Sequence, residues 1–164
     1  MNWRGIAGVV VAVAAGMVWT AAGGATSAGC KAGVTTYGGA TARVFCGPAA
    51  ATVHAGGKTF TIRQGSCDKG AKYLSVNIGT VVIGKTTKPK PEYFGLSIGK
   101  VPYLGGVAVS KDGTYHSGIV ALDHAGKGYG LRAQAKVTLT NGRSRGTFSA
   151  TMLTGGVVTG SFRC

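Results

Sequence analysis

Residues 136–164, KVTLTNGRSRGTFSATMLTGGVVTGSFRC, decide the fold class. Val137 and Leu139 alternate with Thr138 and Thr140, Phe148, Ala150 and Met152 alternate with polar or small partners, and Val158, Gly160, Phe162 and Cys164 share one parity. A period of two marks a strand with one buried face. Asn141-Gly142 and Gly155-Gly156 fall where the direction must reverse, and these residues accept the positive φ of tight hairpins. The stretch predicts three strands in a meander. Its terminal cysteine, on the buried parity, predicts a covalent staple to an earlier part of the chain.

The same pattern recurs upstream. Residues 51–54 and 58–63 flank Ala55-Gly56-Gly57 and predict a hairpin, with Val53, Phe60 and Ile62 inward and Lys58 and Arg63 in water. In residues 72–83, KYLSVNIGTVVI, the parity of Leu74, Val76, Ile78, Thr80 and Val82 is the buried face, and Gly79 marks a bulge or bend. Residues 41–46 read as the first strand, after a lead-in at 31–39 that has no clear period. Segments 93–98, 105–110, 114–122 and 128–133 complete the series, with turns at Asp112-Gly113 and Ala125-Gly126. Thirty glycines, four prolines and few candidate helix runs fit an all-β protein. The expected architecture is an antiparallel β-sandwich or a partly open barrel of short strands with hairpin turns, stapled by disulfides. Residues 84–92, GKTTKPKPE, break the pattern, because alternating prolines forbid a central strand. They predict a basic, proline-rich, mobile exposed loop.

At the other end, one cation at Arg4, an apolar run over 6–19 and small residues over 21–29 describe an export signal with its c-region. The apolar run is shorter than the roughly 20 residues of a membrane span. Residues 30–164 are then one β domain, about 135 residues being enough for a single core. Cleavage after Ala25 would release a secreted domain, whereas Ser27-Ala28-Gly29-Cys30 is a partial lipobox that makes Cys30 a candidate for lipidation. The protein is thus expected outside the cytoplasm, secreted or in the cell envelope, with membrane contact only through its N-terminus or a lipid anchor.

In an exported chain the four cysteines, Cys30, Cys46, Cys67 and Cys164, read as disulfides before they read as metal ligands. Three pairings are possible. Cys46 with Cys67 would bracket one hairpin and stabilise by roughly 3 kcal/mol, and Cys30 with Cys164 would tie the termini together at roughly 5 kcal/mol. Lipidation of Cys30 would leave one of the other three unpaired.

Eighteen Lys and Arg against four acids give a net charge of +14. Such a charge attracts acidic cell-surface components and anionic polymers. Lys85, Lys88, Lys90, Arg143 and Arg145 are the candidate polyanion-binding residues, with Tyr93, Phe94 and Tyr103 nearby as stacking groups. No nucleic-acid motif is present, so no specific nucleic-acid partner is expected. The titratable stock for catalysis is small. Asp123 and His124 are the only adjacent acid and imidazole, and on a strand such neighbours point to opposite faces. His116 with His124 lacks a convincing third metal ligand. Residues 126–130, GKGYG, precede a strand pattern rather than a helix, and Ser144 and Ser149 lack a nucleophile elbow. No catalytic residue, metal site or cofactor is expected. The leading expectation is a non-enzymatic envelope or secreted domain with a structural or binding role. A polyanion-binding module is the alternative, and a hydrolase or metal enzyme centred on Asp123 and His124 a more distant one.

The export signal with Cys30, a first strand ending at Cys46, the turn at residues 111–115, KDGTY, and a last strand ending in Cys164 together resemble the small surface lipoprotein antigens of mycobacteria and other actinobacteria. That resemblance implies a β-rich envelope domain without catalytic residues, and a disulfide between an early strand and the last one, here Cys46 to Cys164. The chain departs from the family in its imperfect lipobox, its near-absent polar tether and its strong positive charge.

Overall fold

The computed structural model describes residues 29–100 and 106–164; residues 1–28 of the expected export signal, Tyr103 and Gly105 lie outside the described residues. Eleven strands and no helix are present among them. They are β1 (Gly33–Tyr37), β2 (Ala40–Val44), β3 (Ala49–Ala55), β4 (Lys58–Lys69), β5 (Tyr73–Ile83), β6 (Tyr93–Gly99), β7 (Gly113–His124), β8 (Lys127–Tyr129), β9 (Ala135–Thr140), β10 (Arg145–Thr151) and β11 (Val157–Arg163).

Eight of them close into an antiparallel barrel, each strand beside its chain neighbour, in the order β3-β4-β5-β6-β7-β9-β10-β11 with β11 returning to β3. This corrects the expected sandwich or partly open barrel, since the ladder has no break at which two sheets would separate. Closure leaves these strands with neighbours on both sides and removes the exposed edges of an open sheet. An eight-stranded barrel is just wide enough to be filled by side chains. Here Leu74, Val76, Ile78, Phe94, Leu96 and Ile98 from β5 and β6 meet Val137, Leu139, Phe148, Val158 and Phe162 from β9 to β11. The Phe94 and Phe148 rings lie 5.0 Å apart in that interior. The interior is a packed core, not a ligand lumen, so any binding surface on the barrel must be on its outside or at its ends.

The C-terminal meander forms as expected in β9, β10 and β11. In β5 the buried face also follows the predicted parity, but it serves two cores. At Gly79 the backbone takes a φ of +85° and an added Cβ would collide with the Glu92 carbonyl. Up to that point β5 pairs with β4 and β6; beyond it, residues 80–83 leave the barrel and pair with β2. Val82 packs with Ala40, Ala42 and Tyr37 in a small second core under the β1–β2 hairpin. Residues 33–37, which have no sequence period because most are exposed, are therefore a strand after all. Conversely, residues 106–110 are not a strand although Val109 is fully buried, and 128–133 shorten to β8 plus a bridge from Leu131 to Met152.

The disulfides join Cys30 to Cys46 and Cys67 to Cys164. Neither Cys46–Cys67 with Cys30–Cys164 nor the Cys46–Cys164 pair implied by the lipoprotein resemblance occurs. The reason lies in β4. Gln64 takes a φ of +67° beside the register shift at Ala49/Ala50, so the inward parity changes from Phe60 and Ile62 to Gly65 and Cys67. β4 continues past the start of β3, which begins opposite Gly65. Across the gap left by β3, Cys67 reaches Cys164 at the end of β11, whose amide donates to the Ser144 carbonyl. Two disulfides belong to an oxidising, extracytoplasmic environment. No helix among the described residues is long and apolar enough to cross a membrane.

Residues 84–92 are outside the strands, but they are pinned rather than free. The Thr87 amide donates to the Gly38 carbonyl, the Tyr37 hydroxyl to the Pro89 carbonyl at 2.9 Å, and Lys90 bridges to Gly126. The segment is a strap from the β1–β2 hairpin to the β7–β8 turn.

Candidate functional site on the outer barrel face

The five expected polyanion-binding residues do not form one patch. Lys85 is exposed on the strap, and Lys88 stands over the Tyr37 ring, 5.9 Å from its centroid. Lys90 pairs with Asp123 at 3.5 Å. Arg143 is taken up by the structure. The β9–β10 turn carries three successive residues of positive φ, Asn141, Gly142 and Arg143, and the Asp112 carboxylate accepts the amides of Gly142 and Arg143. This aims the Arg143 guanidinium across the barrel end, where Nη1 donates to the carbonyls of Gly70, Tyr73 and Val109 at 2.9 to 3.1 Å. Tyr93 and Phe94 are buried and offer no stacking face.

The acid and imidazole pair separates as strand geometry requires. Asp123 turns to Lys90, whereas His124 places Nδ1 2.6 Å from Glu92 Oε2 and stacks on Phe60 with ring centroids 3.5 Å apart. Glu92 Oε1 also accepts the Ala125 amide. His116 is exposed on β7. No group of three metal-binding side chains occurs among the described residues.

Close by, the Tyr93 phenol donates to Asn77 Oδ1 at 2.8 Å. Burial pushes its pKa up to about 12, with the Asp123 charge adding to the rise and Arg43 opposing it. The folded protein thus holds this proton more tightly than the unfolded chain. The stabilisation is complete below pH ~10, the unfolded value, and is lost as the pH rises toward the folded value. Alkaline denaturation of the protein should show a loss of stability between pH ~10 and ~12. Tyr93→Phe should lack it, and an unchanged pH profile in that variant would assign the loss elsewhere.

Of the five, Arg145 lines a shallow groove of about 530 Å³ on the outer face of β4, β3, β11, β10 and β9. Ladder register builds it. Arg145 is opposite Arg163, Arg163 opposite Ala50, and Ala50 opposite Arg63, so three arginines stand in one row across four strands. Two residues along each strand, a second row runs Thr138, Thr147, Ser161, Thr52, Thr61 across five strands, and Thr114 of β7 extends it. The small Ala50 between Arg163 and Arg63 gives the groove its depth. Within the hydroxyl row, Thr52 and Thr61 approach to 3.4 Å and Thr114 and Thr138 to 3.0 Å.

The groove arginines have no carboxylate partner, and the reason is arithmetic. The chain has four acids. Asp68 accepts the Tyr73 hydroxyl, Glu92 binds His124 and Ala125, Asp112 binds the β9–β10 turn, and Asp123 pairs with Lys90. None lines this groove, although Glu92 lines an adjoining hollow that shares Arg63 and Arg163 with it.

Sequence reasoning named Arg145 but missed Arg63, Arg163 and the hydroxyl row. The signal was present in the outward parities, Thr59-Thr61-Arg63, Arg145-Thr147-Ser149 and Thr159-Ser161-Arg163. Only register, which the sequence does not carry, turns those strips into rows.

No family model matches the chain, and no curated protein or solved structure matches it either. What this surface does must therefore be argued from its own chemistry.

Proposed function

We propose that this chain is a non-catalytic extracytoplasmic domain that attaches to an anionic polymer of a cell surface through the Arg63–Arg145–Arg163 groove. The observation that carries this reading is the row of three exposed arginines, none of which is ion-paired with an Asp or Glu side chain. Guanidinium groups left unpaired attract anions, and neighbouring hydroxyls supply further donors. The paired disulfides and the export signal support an extracellular or envelope location.

Binding to an anionic polymer should weaken steeply with salt, because each cation that engages the polymer displaces a condensed counterion. Arg63→Gln, Arg145→Gln and Arg163→Gln together should reduce the slope of log K against log salt by about 2 to 3. Lys85→Gln with Lys88→Gln should change it by less than half as much. A slope unaffected by the three arginine changes would refute the assignment of the groove.

We take the domain to be released rather than lipid-anchored, because a lipid thioether on Cys30 would exclude its bond to Cys46. An intact mass that rises by four hydrogens on reduction, as two disulfides require, is the expected result. A diacylglyceryl adduct would place the protein in the membrane and leave Cys46 unpaired.

A further inference from the structure

We infer that the polymer held by the groove is a polyol phosphate or sugar phosphate, lying across the strands between the arginine row and the hydroxyl row. This deepens the proposed function and rests on it. Three observations lead to it.

The groove has two chemically distinct sides. Adjacent strands lie roughly 4.8 Å apart and residues two apart on a strand roughly 6.7 Å, so the two rows run parallel at about the width of a single sugar or polyol unit. Along the first row, Arg145 and Arg163 are on adjacent strands and Arg63 is two strands beyond Arg163. The second row is made of hydroxyls alone. A polymer with phosphates on one edge and alcohols on the other uses both the donors and the acceptors of the second row, whereas polyphosphate can use only its donors.

Hydroxyls match hydroxyls. A threonine or serine Oγ both donates and accepts, so it can satisfy an alcohol in either sense, whereas phosphate and carboxylate oxygens only accept. A surface built for bare anions alone would be served by more lysine or arginine. Instead the positions beside the arginines are Thr61, Thr52, Ser161 and Thr147.

No aromatic platform is offered. Phe162 is the only aromatic residue lining the groove, and it belongs to the barrel interior with 4% exposure. Sequence-tolerant binding of single-stranded nucleic acid uses base stacking on exposed aromatic rings. A base-free sugar or polyol phosphate needs none.

The test compares three probes of matched chain length, polyglycerol phosphate, polyphosphate and oligothymidylate, against the full mature protein. Two variants are used: the arginine triple variant described above, and Thr52→Val/Thr61→Val/Thr147→Val, which keeps β-branched side chains on the sheet surface and removes the hydroxyls. The native protein should bind polyglycerol phosphate more tightly than either other probe. The valine variant should lose about tenfold for polyglycerol phosphate and no more than about threefold for polyphosphate, which loses donors but no acceptors. Thermal melts of the variants establish that each is folded before binding is compared. Equal loss for both probes, no loss for either, or a preference for oligothymidylate overturns the inference and leaves the proposed function standing. Full retention of binding by the arginine variant overturns the proposed function itself.

Discussion

Replacing Cys67 and Cys164 together by serine is expected to lower the stability of the barrel by about 4 to 5 kcal/mol, since the bond closes a loop spanning 97 residues. In the chain-entropy view the effect is on the unfolded state, which regains the freedom that closing so long a loop removes. It is also the larger effect for a native-state reason. β3 does not extend far enough to hold β4 to β11 near Cys67, so the disulfide supplies the lateral connection that backbone hydrogen bonds supply elsewhere in the barrel. For a domain whose total stability is about 5 to 15 kcal/mol, such a loss brings the variant close to the unfolding threshold. Removing Cys30 and Cys46 instead, 16 residues apart, should cost about 3 kcal/mol and act on the β1–β2 hairpin. Urea denaturation of the two serine double variants gives the comparison. A smaller loss for the Cys67/Cys164 variant than for the Cys30/Cys46 variant would contradict this account of the staple.

Arg143→Ala is expected to cost about 3 kcal/mol, because hydrogen bonds to charged groups are each worth roughly 1.5 to 3 kcal/mol and three half-buried carbonyls would lose their donor. Arg143 is a surface cation by sequence and a structural bolt by position. Its Nη1 joins the β4–β5 turn at Gly70, the start of β5 at Tyr73 and the connection leading to β7 at Val109. Val109 and Lys100 also donate their amides to the Lys72 carbonyl, so the whole barrel end depends on a few polar contacts. Arg143→Lys should recover less than half of the loss, since one ammonium on a flexible stem does not reproduce the planar guanidinium. Hydrogen exchange is the second readout, with faster exchange at Val109 in the alanine variant. Unchanged stability and unchanged exchange would show that the three carbonyls are satisfied without the arginine. Polymer binding should be unaffected in a folded Arg143 variant, because its guanidinium is tied to the carbonyls of Gly70, Tyr73 and Val109 and does not line the groove.

Much of the strand content was legible because inward and outward residues differ in chemistry. The meander over β9 to β11, the β3–β4 hairpin and the buried parity of β5 all show a period of two, and each forms. What failed was the part of the architecture that alternation does not encode. The Gln64 bulge inverts parity in the middle of β4, and a non-glycine residue at positive φ leaves no compositional mark. The cysteine partners followed from that inversion and could not be read without it. β1 was missed because it buries almost nothing, and residues 106–110 were overread because the burial of Val109 resembles that of a strand residue. The candidate site was legible only in pieces. Charge pointed to cations in the proline-rich segment, where runs of lysine are conspicuous, but Lys90 is paired and the strap is tied down. The groove arginines are scattered at positions 63, 145 and 163, and closing the barrel by β11 against β3 is what sets them side by side.

The most direct test of the polymer-binding face is a nuclear magnetic resonance titration of the mature, isotope-labelled protein with polyglycerol phosphate. The account predicts that the largest amide shifts fall on the outward residues of β3, β4, β10 and β11, centred on Thr52, Arg63, Arg145 and Arg163, and that they collapse as salt is raised. Shifts centred on residues 84–92, or no shifts at low salt, would contradict it.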